Sequence, residues 1–345
     1  MKNKFDWYKL TNLPNSTYIS AVVFILASII VPRFLSPGNI TTLLLQASIM
    51  MILSTGMAVS LMIGCIDLSL GGMVSMTGVV MALLLSNGVN GVLAILCGIG
   101  SGVLFGFLNG FVVTKMKVAP FIATFGMGSI AQSIANILSD KRTISWEVGT
   151  HTKIIERLGG QVLTIHFGDQ AAQILSISVL LVLAILVVSI VLFFFKKTTL
   201  GSNVCAIGAN EEVARLSGIA TARWKISIFM LSGLLAGIAG MVMMIRTNSL
   251  QPTVGDGLEF QAVVAAVLGG NSLKGGKGSI PGAVLGALTL YIVRNAMSLW
   301  GLDTSVVMVV IGAILVVGMV LNEGVAYMVE KRKFFHAIPE KGGEK

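Results

Sequence analysis

The stretch GCIDLSLGG, Gly64 to Gly72, decides how this chain divides. It lies inside a run from Ile40 to about Asn90 whose single charge is Asp67. A membrane crossing takes ~20 apolar residues to cover ~30 Å of hydrocarbon, so the run is too long for one span. Gly64, Gly71 and Gly72 bracket the carboxylate, and glycine is the strongest local break in an apolar pattern. The run therefore reads as two spans separated at Asp67.

Outward from that break, uncharged runs of crossing length cover 91–114, 118–139, 171–195, 226–245 and 304–322. A shorter run covers 12–32, another begins at Gly278, and 259–273 is short and glycine-ended, so it reads as a short span or a re-entrant one. These amount to about ten crossings. Composition agrees: 55% hydrophobic residues, 11% charged and 40 glycines lie outside the range of soluble domains. The mean hydropathy is +0.90. The reading is an all-α integral membrane protein, a polytopic bundle of about eight to ten transmembrane helices. The N-terminal MKNKFDWYKL is basic and leads into the first run without a small-residue cleavage site, which favours a retained span over a removed signal peptide.

The net charge of +9 comes from short clusters between apolar runs, the pattern of the positive-inside rule and not of a nucleic-acid surface. Lys115, Lys117, Lys196, Lys197, Arg223, Lys225, Lys274 and Lys277 fall on one side together with the lysines near both ends of the chain. Arg33, Lys141, Arg142, Lys153, Arg157 and Arg246 fall on the other, four of them in the loop 139–170. Both termini are thus expected in the cytoplasm and 139–170 outside. One transmembrane domain is expected over 1–325, followed by a basic cytoplasmic tail, 326–345. The three cysteines suggest neither a disulfide framework nor a metal site.

Glycines recur every four residues at 98, 102, 106 and 110, at 278, 282 and 286, and at 233 and 237. Small-residue stripes let helix backbones approach closely in lipid. Packing within one subunit is the simpler reading, and a dimer seam the sharper one.

Asp67 is the most costly residue if it lies deep, at ~2.5–3.5 kcal/mol on insertion scales. It either lines a solute path or caps the next helix at a cytoplasmic turn with help from Ser69, and the orientation favours the cap. Asn109, Gln132, Asn136 and Asn295, with Gln46, lie within spans and either present hydrogen-bonding groups to a solute or join helices. Arg294 lies ~24 Å along its helix, near the outer interface, where it anchors the helix or meets a ligand. GGNSLKGGKGS departs from the phosphate-loop pattern at two positions, and no nucleophile with a base is apparent. Neither a bound cofactor nor a metal is expected.

AIGANEEVARLSGI, Ala206 to Ile219, places a short polar helix on the cytoplasmic side. Asn210 reads as its N-cap, Glu211 and Glu212 as its first turn, Arg215 as its end and Gly218 as its stop. A helix of two turns is not stable alone. Its apolar side, Val213 and Leu216 with Ala214, needs a surface to dock on.

CIDLSLGGMVSMTG at 65–78, AIGANEEVARLSGI at 206–219, LSGLLAGIAG at 231–240 and LEFQAVVAAVLGGNSLKGGKGSIPGAVLGAL at 258–288, in that order, resemble the membrane-spanning permease subunit of ribose, xylose and galactose-type ABC importers. The resemblance implies a bacterial plasma-membrane permease that forms a pathway for a monosaccharide or related polyol. It works with a second permease copy, a cytoplasmic ABC ATPase that uses the ATP, and an extracytoplasmic sugar-binding protein. The residues implied to couple to the ATPase are Gly208, Ala209, Asn210, Glu211, Glu212, Ala214, Arg215 and Gly218. Family members often carry Thr or Ser where this chain has Asn271. The competing readings are an ion-coupled secondary transporter built on Asp67 and a membrane-embedded enzyme.

Overall fold

A computed structural model describes residues 15–166, 174–303, 305–314 and 316. The two halves of the Ile40–Asn90 run form α2 (Pro37–Met62) and α3 (Leu70–Ser86), preceded by α1 (Asn15–Ile30). The chain continues as α4 (Gly91–Lys115), α5 (Pro120–Leu138), the short helix α6 (Lys153–Gly159) and α7 (Val179–Lys197). Then come α8 (Thr199–Ala209), α9 (Glu211–Leu216), α10 (Thr221–Thr247), α11 (Leu258–Leu268) and α12 (Ile280–Leu299). The last described helix is α13 (Ser305–Ile314). The expected basic tail and the N-terminal leader lie outside the described residues.

Among the described residues six helices have crossing length: α2, α4, α5, α7, α10 and α12. Four apolar helices are shorter: α1, α3, α11 and α13. Each of the ten expected segments carries a helix among the described residues; 304–322 is described only in part, and α3 and α11 are shorter than a full crossing.

The break at Asp67 is where the sequence puts it. Helix α2 stops at Met62, and Gly64, at φ 83°, takes the left-handed conformation that ends the helix. Helices α2 and α10 form the centre of the bundle, with 78% of their apolar windows buried, whereas α4, α5 and α7 bury 22–28% and present Leu, Ile and Phe outward to lipid. Helix α10 packs along α4, α3 and α2.

The glycine stripes set these contacts within one chain. A Cβ on Gly102 would stand 2.4 Å from the Gly233 carbonyl oxygen, and one on Gly233 would stand 2.1 Å from that of Gly102. The α4 stripe is thus buried against α10. Gly282 and Gly286 approach Gly269 and Ala265 equally closely, which joins α12 to α11.

Helix α11, at 11 residues, is ~16 Å long and covers about half a bilayer core. The segment before it enters the bundle without helical structure. The Pro252 carbonyl accepts from Gln132 Nε2 at 2.7 Å, and Gly255 N donates to Ser75 Oγ at 3.0 Å. Irregular backbone is tolerated at membrane depth when protein groups satisfy it in this way. The segment 259–273 thus carries one short helix, preceded by an irregular stretch, 251–257, whose polar backbone is satisfied by α3 and α5.

Two departures from the all-helical expectation stand out. Strand β1 (Ile144–Ser145) pairs antiparallel with β4 (Ser249–Leu250), joining the loops after α5 and α10. Strands β2 (Gln161–His166) and β3 (Ile174–Ser178) form an antiparallel pair, so part of the expected span 171–195 is strand. Helix α7 begins only at Val179, where the Ser178 hydroxyl accepts from Leu180 N at 3.1 Å. An apolar run of β-branched residues reads alike as buried helix or strand, and the serine cap decides where the helix starts.

Candidate functional site

The helix ends that carry Lys115, Lys196, Lys197 and Lys225 converge with the loop holding Lys274 and Lys277 into one basic end of the bundle. The polar linker here is two helices, not one: α8 runs into α9, with Asn210 ending the first and capping the second. Asn210 Oδ1 accepts from Val213 N at 3.1 Å, and Gly218 takes φ 85°, so the N-cap and the stop are where the residue order predicts them. Glu212 pairs with Arg215, Nη2 to Oε1 at 2.6 Å, and Glu211 pairs with Lys225 at the start of α10.

The apolar side of α9 divides. Ala214 is buried inward, while Val213 and Leu216 are 57% and 75% exposed. Gly208 is wedged into the bundle: a Cβ there would meet the Met62 carbonyl oxygen at 1.9 Å and Gly276 N at 2.6 Å. Gly276 N itself donates to the Met62 carbonyl at 2.9 Å.

The loop that supplies Gly276 is held by Asn271, whose Nδ2 donates to the Ala266 carbonyl at 2.8 Å and whose Oδ1 accepts from Ser279 N at 2.9 Å. Backbone contacts therefore run from α9 through Gly208 to the end of α2 and the α11–α12 turn. Nothing in the residue order of the glycine-rich loop signals this connection.

Asp67, Ser69 and Asn109 come together. Asp67 is fully buried, and its Oδ1 accepts from Ser69 N at 3.1 Å and Ser69 Oγ at 2.5 Å. Ser69 Oγ in turn accepts from Asn109 Nδ2 at 2.7 Å. Thr124 of α5 closes the turn by accepting from Leu68 N at 3.1 Å. The expected cap is modified in two ways. The turn is enclosed by α4, α5 and α10 instead of facing water, and Ser69 occupies the N-cap position of α3 without a side-chain capping bond because its hydroxyl serves Asp67. Burying a carboxylate is costly unless it is hydrogen-bonded: here Ser69 satisfies Oδ1, while Oδ2 is buried without a hydrogen-bond partner among the described residues.

The other polar candidates lie elsewhere. Gln132 holds the irregular segment 251–257 through the Pro252 carbonyl, and Asn136 is half-buried one turn further along α5. Asn295 of α12 makes a reciprocal amide pair with Asn39 at the start of α2, with Nδ2-to-Oδ1 distances of 2.8 and 2.9 Å. This pair borders a cavity of about 560 Å³ at the end of the bundle away from the lysines. Gln46, Arg246, Asp256, Gln261 and Arg294 also line it.

The sequence candidates thus form four separate groups: the α8–α9 junction, the Asp67 cluster, Gln132 and Asn136 on α5, and Asn295 at the cavity. Only Gln46, Arg294 and Asn295 mark the cavity in the residue order. Asn39, Asp256 and Gln261 go unnoticed because each sits singly in a different segment.

Residues 39–319 match the family described as the branched-chain amino acid transport system / permease component. The ribose import permease protein of Bacillus subtilis is 35% identical over 301 residues, 87% of this chain and 89% of that protein. The L-arabinose transport system permease protein of Escherichia coli K12 is 35% identical over 321 residues, 93% of each chain. The fructose import permease protein of Rhizobium meliloti is 30% identical over 299 residues, 84% of this chain and 79% of that one. No solved structure gives a significant match.

Proposed function

The chain belongs to the branched-chain amino acid transport system / permease component family, and from that premise we propose that it is the permease subunit of an ATP-driven importer of a monosaccharide or related polyol. The named solutes of the similar permeases, ribose, arabinose and fructose, support the sugar class. In this reading the chain lies in the bacterial plasma membrane beside a second permease copy, and the basic end faces the cytoplasm. A separate ABC ATPase hydrolyses the ATP, and an extracytoplasmic binding protein delivers the sugar. The ion-coupled alternative is set aside because the relatives are import permeases.

The observation that carries the coupling role is α9. A two-turn helix that turns Val213 and Leu216 to water is unstable alone and presents a small apolar contact on a charged rim. An ATPase that seats on it moves a rigid lever, because Gly208 locks the helix junction to α2 and to the 269–279 loop. The Val213→Asp/Leu216→Asp double variant is expected to lose co-purification with the ATPase encoded alongside this chain. Its thermal stability should stay within about 0.5 kcal/mol of the parent, as for exposed changes generally. Full co-purification of the double variant would reject the docking role.

A further inference from the structure

The cavity between α2, α10, α11, α12 and α13 has a charge composition that a neutral solute path does not require. Two guanidinium groups, Arg246 and Arg294, line it against a single carboxylate, Asp256. Among the described residues neither arginine takes part in an ion pair.

Arg246 Nε is buried without a hydrogen-bond partner, and Arg246 Nη2 reaches only the Met243 sulfur at 3.5 Å. Arg294 lies with its guanidinium carbon 5.8 Å from the centroid of the Tyr291 ring, and its Nη1 makes one long contact, 3.4 Å, to Gln261 Oε1. Arg294 thus engages Tyr291 and Gln261 only, and neither guanidinium meets a carboxylate among the described residues. Two like charges sharing one partly enclosed space also repel. Arg246 also borders a neighbouring cavity with Glu156; a bound anion relieves the repulsion between the two guanidinium groups, and Arg is the side chain whose fork matches a carboxylate or phosphate bidentately. The rest of the wall is neutral and polar: Gln46, Gln261 and Ser298 offer donors and acceptors suited to hydroxyls. The volume, about 560 Å³, falls within the ~300–1,000 Å³ of small-molecule sites.

We propose that this cavity binds an anionic polyol, its carboxylate or phosphate on Arg246 and Arg294 and its hydroxyls on the neutral wall. Two sources share that chemistry, a sugar acid in solution and the glycerol-phosphate headgroup of an anionic lipid. The site rests on the cavity and not on ATPase coupling, so failure of one reading leaves the other intact.

The test is calorimetric titration of the purified full-length chain in neutral detergent with sodium gluconate and with glucose at matched ionic strength. Thermal unfolding is measured in parallel in nanodiscs of phosphatidylglycerol and of phosphatidylcholine. Gluconate binding at least tenfold tighter than glucose, weakened tenfold or more by Arg294→Gln and by Arg246→Gln, supports the site and assigns it to a solute. Stabilisation by phosphatidylglycerol alone, lost in the same variants, supports it and assigns it to a lipid. Size exclusion and helical circular dichroism equal to the parent show that each variant is folded, and an unfolded variant is replaced by Arg294→Lys, which keeps the charge but loses the bidentate fork and should bind more weakly. The proposal is overturned if gluconate and phosphatidylglycerol behave as glucose and phosphatidylcholine do, or if folded glutamine variants bind like the parent.

Discussion

Asp67 shows what one residue in an apolar sequence can and cannot announce. That it breaks the run is legible, because a lone carboxylate among glycines has no place inside a helix in lipid. That it ends up enclosed is not, since the enclosing groups come from α4 and α5, tens of residues away. Ser69 is the hub of this cluster: its hydroxyl donates to Asp67 and accepts from Asn109. Ser69→Ala strips a hydrogen bond from Asp67 and leaves the Asn109 amide nitrogen without that acceptor. A buried group left unsatisfied costs about 1–3 kcal/mol, and thermal unfolding in detergent should show a loss of that order. Ser227→Ala is the control, because that exposed hydroxyl serves only the Arg223 carbonyl of its own helix. Equal stability of the two variants would mean that the cluster does not hold the turn.

At the scale of elements, periodicity reveals most and partners least. The four-residue glycine stripes are visible in the sequence, but whether they meet within one chain or across two is decided by which helix lies opposite. Gly102 and Gly233 answer that, each standing where the other's backbone leaves no room for a side chain. Because the obstructing atom is a carbonyl oxygen and not a flexible side chain, Gly233→Leu should cost at least the ~1–3 kcal/mol of ordinary overpacking. Its yield of monodisperse protein should fall accordingly. Gly100→Ala meets nothing within 4 Å and should be neutral; comparable losses in both variants would refute the α4–α10 contact.

Helix α9 was legible for a different reason, since caps are local and Asn210 and Gly218 signal them directly. Strand β3 was not, because its apolar run continues into α7 without a change of composition. The pairing with β2 and the Ser178 cap separate the two.

For the whole molecule, hydropathy foretells the number of apolar segments but not their depth, so short helices such as α11 read as crossings until their tertiary neighbours are known. The cavity is legible least of all. Its walls come from residues 39 to 308, brought together by the packing of α11 and α12 against α2, and no local spacing links them. What the architecture shows as a whole is a helical bundle with a polar cavity at one end and, at the other, the short helix α9 joined through Gly208 to α2 and the 269–279 loop. The buried polar cluster lies at the α2–α3 turn, and α9 exposes Val213 and Leu216.

The most direct measurement is sugar uptake into proteoliposomes loaded with ATP. They carry this chain with its binding protein, with or without the ATPase, and are tested with and without an imposed proton or sodium gradient. The account predicts uptake only when the ATPase is present, and none from a gradient alone. Gradient-driven uptake by the chain without the ATPase would contradict it.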